Sequence, residues 1–173
     1  MKKENIISPY CNTLKFKTQE LSPDEVQQLL QVAIMSAQNI ENNTCEFYVT
    51  DDTNLLEKLA DVRDYGSENI KNAPMAVAVV ADRLYDGAWI ENCSSAVWAI
   101  SSKAAELGLG CEAVQIRGYA LSDGVFSDEA VRGILGIPDG KTVFALLAIG
   151  YVDLPPEHAN DKAELDWGKV HIV

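Results

Sequence analysis

The sequence predicts a single α+β domain built around one buried central helix. Three observations lead there. A chain of 173 residues is the length of one ordinary domain, enough to bury roughly 70% of the surface its unfolded form exposes. Two continuous apolar runs, 75–80 (MAVAVV) and 143–152 (VFALLAIGYV), have the length and valine content of strands buried on both faces. Between them, residues 85–107 carry the longest helical pattern of the chain.

The elements follow in order, with no linker or internal repeat. Ser22-Pro23-Asp24-Glu25 is a helix start, with Ser as N-cap, Pro in the first position and Glu as capping-box partner. Val26, Leu29, Leu30, Ala33 and Ile34 then recur at helical spacing and predict one apolar face. Glu46–Thr50 (EFYVT) reads as a short strand, and Asp51-Asp52 as the cap of a helix carrying Leu55, Leu56, Leu59 and Val62. In 85–107, Trp89, Cys93, Ala96, Val97, Ile100, Ala104 and Leu107 share one side. Many small residues flank that side, which predicts a helix buried on more than one face. Gly108 ends it as a C′ residue. A strand is expected at 113–117 and a short amphipathic helix at Ser127–Leu135, closed by Gly136. The last twenty residues are polar and then finish apolar at Val170-His171-Ile172-Val173, an end expected to dock on a neighbouring subunit.

Composition excludes several function classes. With 14 Lys+Arg against 26 Asp+Glu the net charge is −12, a field that repels polyphosphate, so neither nucleic acid nor an anionic membrane surface is an expected partner. No stretch approaches the ~20 apolar residues of a membrane span. The basic start Met1-Lys2-Lys3 is followed by no apolar signal region, so a cytoplasmic location is expected. Cys11, Cys45, Cys93 and Cys111 lie 34, 48 and 18 residues apart with only His158 and His171 besides, a spacing that fits packing thiols and no metal site. Gly108-Leu109-Gly110-Cys111-Glu112-Ala113 matches G-x-G-x-x-A by letter, but a helix precedes it and a strand follows, the reverse of a dinucleotide site. No nucleophile elbow or triad pattern is present.

The order of segments resembles the nitroreductase family, in its short bacterial branch, over essentially the whole length, 1–173. The resemblance rests on 21–33 (LSPDEVQQLLQVA), Glu46–Thr50 with Asp51-Asp52, Asn72-Ala73-Pro74 before an apolar strand, and Trp89-Ile90-Glu91-Asn92 opening the long helix. It continues through Ala105-Glu106-Leu107-Gly108-Leu109-Gly110, Val114-Gln115-Ile116-Arg117-Gly118, Leu135-Gly136-Ile137-Pro138, Ala148-Ile149-Gly150-Tyr151, and Trp167 with Lys169-Val170-His171. The resemblance implies a mostly antiparallel sheet wrapped by helices and an intimate homodimer, its 153–173 tail docked on the partner. It implies FMN at the dimer interface, NAD(P)H as electron donor, and a nitro, quinone or similar small molecule as acceptor. The flavin then carries the chemistry, and no catalytic side chain is required.

Departures from the family pattern fall on the flavin anchor. Where members carry R-R-S-x-R-x-F, this chain has Tyr10-Cys11-Asn12-Thr13-Leu14-Lys15-Phe16, and A-P-S-x-x-N becomes Ser36-Ala37-Gln38-Asn39-Ile40-Glu41. The residues expected to hold FMN are therefore Asn12, Lys15, Gln115, Arg117, Gly118 and Lys169, with the backbone of 115–118 approaching the flavin N5. The lost arginines leave a second reading open. In it the chain is a non-catalytic dimer on the same scaffold, its pocket empty or repurposed for another ligand or partner.

Overall fold

The computed structural model describes residues 14–38, 44–84, 87–153 and 167–171. Asn12, Cys11, residues 39–41 of the segment 36–41 and the greater part of the 153–173 tail lie outside the described residues. Strands β1 (Glu46–Thr50), β2 (Met75–Ala81), β3 (Gly110–Gln115) and β4 (Thr142–Gly150) form one antiparallel sheet in the order β1-β2-β4-β3. Helices α1 (Pro23–Gln38), α2 (Thr53–Leu59), α3 (Trp89–Glu106) and α4 (Ser127–Leu135) cover it. This is the α+β class and the antiparallel sheet that the sequence and its resemblance predict.

The two apolar runs are buried on both faces because strand periodicity deals their side chains into two cores. Ala76, Ala78 and Val80 of β2 face Leu56 and Leu59 of α2 and Val131 of α4. The alternate residues Met75, Val77, Val79 and Ala81 face Leu29 and Ala33 of α1 and Cys93, Ala96, Val97, Ile100 and Ala104 of α3. Every residue of β2 is buried as a result.

Local chemistry sets the helix boundaries. Ser22 Oγ and N both donate to Glu25 Oε2, at 2.6 and 2.7 Å, and Glu25 N returns a 3.3 Å bond to Ser22 Oγ. The same carboxylate accepts from Tyr151 Oη at 2.7 and 2.8 Å, tying the start of α1 to the end of β4. The Ser22 hydroxyl, ahead of the opposing effect of burial, holds the Glu25 carboxyl below its ordinary range. Asp52 caps α2 by accepting from Asn54 N and Leu55 N. That helix stops at Leu59, and Val62 reaches the core from the turn beyond. In α1, Leu29 and Ala33 are buried as expected, but Ile34 is exposed, and so is Met35. On α3 the predicted face is buried between the sheet and α1, the burial on more than one side that its small residues predict, while Ser94, Ser95, Trp98 and Ser102 form an exposed outer stripe.

The third strand starts three residues earlier than its apolar pattern suggests, and two glycines explain why. Gly110 and Gly150 face each other across β3 and β4. A Cβ on Gly110 would meet Val152 Cγ1 at 2.5 Å and Leu14 Cδ1 at 3.0 Å, and one on Gly150 would collide with the Pro74 ring. Without side chains at these two positions, the segment 14–17 closes over the sheet end, with Phe16 bridged to Val152 and Lys17 N bonded to Tyr151 O at 2.8 Å. Beneath it the Asn69 amide donates to Leu14 O at 2.8 Å and to the buried Glu112 Oε2 at 2.6 Å.

Two outcomes follow from this end of the sheet. Gly150→Ala forces the rigid Pro74 ring or Phe16 to shift and should cost about 1–3 kcal/mol, read as a lowered midpoint in thermal or denaturant unfolding. Burial, opposed by the bonds from Asn69 and Leu14, raises the Glu112 carboxyl above its ordinary 4.5. The folded state therefore holds this proton more tightly than the unfolded state, and stability falls as pH climbs from about 4.5 through the raised value. Glu112→Gln stays neutral throughout and still accepts from Asn69. Its melting temperature relative to the parent should rise between pH 4.5 and 7.

Candidate functional site

The opposite end of β3 builds the site. Ile116, fully buried, anchors the chain in the core, and both Ile116 N and Arg117 N donate to Phe144 O at 3.1 Å. The strand is thereby ended, and Tyr119 N closes a turn onto Ile116 O at 3.2 Å. Gly118 occupies the turn at φ +83°, a conformation side-chain-bearing residues adopt only with strain. The residue is exposed, and its N–H has no hydrogen-bond partner among the described residues.

The turn directs Arg117 back over the first residue of α3. Its guanidinium carbon stands 5.8 Å from the centre of the Trp89 ring, which meets Phe144 edge-on at 6.3 Å. Arg117 Nε is buried and makes no hydrogen bond, an orphaned donor of the kind that folded proteins rarely leave without a purpose. On the far side Arg63 stacks over Tyr119 at 3.7 Å and donates to Gln115 O at 3.1 Å, stiffening the turn from outside. The chain then loops through 120–126 and returns when Ser127 N bonds Tyr119 O at 3.0 Å, which sets the exposed Phe126 ring beside the turn.

These pieces enclose a cleft of about 440 Å³. Arg83, Trp89 and the Arg117-Gly118-Tyr119 turn line one part; Phe126, Asp128, Glu129 and Arg132 of the α4 end, with Thr142, line the rest. Its charges are unequally committed. Arg132 lies between Asp128, at 3.5 Å, and Asp139, at 2.9 Å, and Asp128 also accepts from Val143 N. Arg83 and Arg117 have no ion-pair partner among the described residues. A second depression of about 350 Å³, lined by Leu14, Asn69, Lys71 and Glu112 among others, lies under the N-terminal segment, where the Asn69 bond already engages the buried acid.

The residues expected from the sequence divide accordingly. Gln115, Arg117 and Gly118 come together at the turn, and the last two line the cleft. Lys15 is exposed at the other end of β3, roughly 17 Å of strand away. Lys169 is exposed on a separate 3-10 turn, Trp167–Lys169, and is not among the described residues lining the cleft. Asn12 lies outside the described residues. Leu14, which stands where the family pattern has its third arginine, is buried and packs against the position of Gly110. Sequence reasoning missed Arg83, Phe126 and Thr142 and assigned Trp89 to the core alone. The available signal was an aromatic just before the Ser127 helix start, where no core position calls for one.

No cluster of metal-ligating side chains occurs among the described residues, and no helix of the structure is long and apolar enough to cross a membrane. Burial pushes the Cys111 thiol up to about 11, so it is a packing group rather than a nucleophile.

No family model matches the sequence. The chain is 33% identical to an FMN-dependent nitroreductase from Clostridium difficile R20291, with a TM-score of 0.84 and 91% of each chain covered. The chain belongs to the nitroreductase family. A provisionally named NADH dehydrogenase/NAD(P)H nitroreductase of Methanothermobacter thermautotrophicus is 29% identical over 161 residues, covering 91% of this chain and 80% of the relative. A further nitroreductase fold, solved in complex with FMN from Desulfovibrio desulfuricans, superposes at a TM-score of 0.66 with 19% identity and 83% of each chain covered. The last likeness is one of fold. In this member of the family the Arg117-Gly118 turn lines the cleft.

Proposed function

We propose that the chain is an FMN-dependent oxidoreductase that carries electrons from NAD(P)H to a nitro, quinone or similar small acceptor, and that it works as a homodimer. The observation that carries this reading is the turn at the end of β3. It brings the unpartnered Gly118 N–H and the Arg117 guanidinium, whose buried Nε makes no hydrogen bond, to the lining of one aromatic-walled cleft. Both donors suit a ring system rich in hydrogen-bond acceptors, such as the flavin.

Bound there, FMN supplies the two-electron relay between donor and acceptor. The chain's own part is to position and to shield. Gly118 N–H donates without moving, because the bonds from Ile116, Arg117 and Tyr119 already fix the turn. Trp89 and Phe126 offer apolar surface that keeps water from the reacting ring, and Arg117 adds positive charge where electron density accumulates.

The phosphate end of the cofactor is held differently from the family pattern. Leu14 is packed into the core, so no cation can occupy that point without displacing it. Lys15 and Lys169 remain as candidate cations, and Lys15 is too far along β3 for a short ligand to meet it and Arg117 in one chain. A second copy is the simplest source of the missing half. The exposed Ile34, Met35 and Trp98 on the packed pair α1 and α3 give that copy an apolar surface to cover. The buried Leu14 also favours the second reading, a dimer on this scaffold that no longer binds flavin.

Two measurements decide between them. The purified protein should be yellow, or become so with added FMN, and NAD(P)H should bleach the colour until an acceptor restores it. A preparation that stays colourless in excess FMN sinks the oxidoreductase and leaves the non-catalytic reading. Light scattering should return about twice 18.9 kDa; a monomer that binds FMN normally would show that the site is complete in one chain.

A further inference from the structure

Two thiols far from each other in sequence meet in the fold. Cys45 and Cys93 lie 48 residues apart along the chain, yet their Sγ atoms stand 3.4 Å apart, one S–H donating to the other sulfur. Three elements bring them there. Thr44 is held just past the end of β2, where Asp82 N donates to its Oγ1 at 2.9 Å and its hydroxyl returns a 3.2 Å bond to Asp82 O. Cys45 follows, directly ahead of β1, and strand alternation turns it to the side of Phe47, against the core that α3 covers. Cys93 meets it from α3, one turn after Trp89 and wholly buried.

The two sulfurs are unequal. Cys45 is partly buried and within reach of a small reagent, whereas Cys93 is shut away behind it. Cys111 has a different neighbour, the Ser101 hydroxyl at 3.5 Å, so contact between sulfurs is particular to this pair among the described residues. A disulfide holds its sulfurs about 2.05 Å apart, so the pair has to close by roughly 1.4 Å, a shift that small side-chain rotations at both ends supply.

We infer that Cys45 and Cys93 form a reversible two-thiol oxidation site, whose oxidant is hydrogen peroxide and whose product is a disulfide tying the entry of β1 to α3. The Cys45 sulfur, as thiolate, attacks one peroxide oxygen. An S–O bond forms, the O–O bond breaks, and the departing hydroxide takes up the thiol proton as water. The Cys93 sulfur then attacks the Cys45 sulfenic acid; the S–S bond forms, the S–O bond breaks, and a second water leaves with the Cys93 proton. Two electrons pass from the sulfur pair to the peroxide, and a dithiol reductant reverses the change by two thiol–disulfide exchanges. The site requires no flavin and stands apart from the function proposed above.

Trypsin places the four cysteines in four separate peptides, 4–15, 18–58, 84–103 and 104–117, so every pairing has its own mass. The full chain, reduced and then exposed to excess hydrogen peroxide, is blocked with iodoacetamide in denaturant and digested without reductant. The expected product is 18–58 joined to 84–103 within one chain, absent after dithiothreitol. Cys93→Ala should stop the reaction one step earlier, leaving a Cys45 sulfenic acid that dimedone labels. Cys45→Ser should leave Cys93 a thiol under the same peroxide, because nothing then carries the oxidant inward. Four thiols that survive excess peroxide overturn the inference. So does a Cys45 driven to sulfinic acid beside an unreacted Cys93, a link from Cys45 to Cys11, or a link that runs between two chains on a non-reducing gel.

Discussion

The structure depends on one constraint: β2 and β4 pair along their length at the centre of the sheet and are covered on both faces. No water reaches their backbone, so each peptide group must find its partner in the sheet, and each side chain must be apolar in both directions. The antiparallel register from Met75 opposite Ile149 to Ala81 opposite Thr142 satisfies the first demand, with one irregularity between Val79 and Val80. The second is met by α1 and α3 on one side and α2 and α4 on the other. What remains of the chain is positioned by how it leaves this pair.

Phe144 shows how the constraint is passed to the site. Its carbonyl lies just past the last β3 pair and accepts from two successive amides, which ends the strand and turns the chain outward. Its ring meets Trp89 edge-on, so the first residue of α3 and the turn that faces it are both referenced to one residue of β4. The cleft between them is thus formed by rigid elements on three sides, the arrangement in which a pre-placed donor costs least to use.

Most of the fold was legible because it obeys period and punctuation. The capping box at Ser22, the Asp52 cap, the closing Gly108 and Gly136, and the two apolar runs each name a boundary through local chemistry. What was not legible is decided by contacts between distant segments. The start of β3 depends on Gly110 facing Gly150, and nothing in its neighbours says so. Ile34 fits the apolar period of α1 yet is exposed, because helical spacing marks a stripe without saying how wide the neighbour is. The site was half legible. Family resemblance pointed to Gln115, Arg117 and Gly118, which lie together in sequence. Arg83 and Phe126 are joined to them only by the fold, and Lys15 stands at the opposite end of β3, a separation that sequence order does not reveal.

The facing glycines make the N-terminal segment a coupled variable in this lineage. Leu14, Phe16, Pro74 and Val152 all approach the space that a side chain at 110 or 150 would fill. Enlarging either glycine requires a smaller residue at one of those four places, and restoring a long cation at 14 requires somewhere for the present leucine volume to go. Substitutions here should therefore appear in compensating sets, and position 14 is free to change only with the sheet end that its side chain covers. A residue there answers to the packing of hydrocarbon before it answers to any ligand.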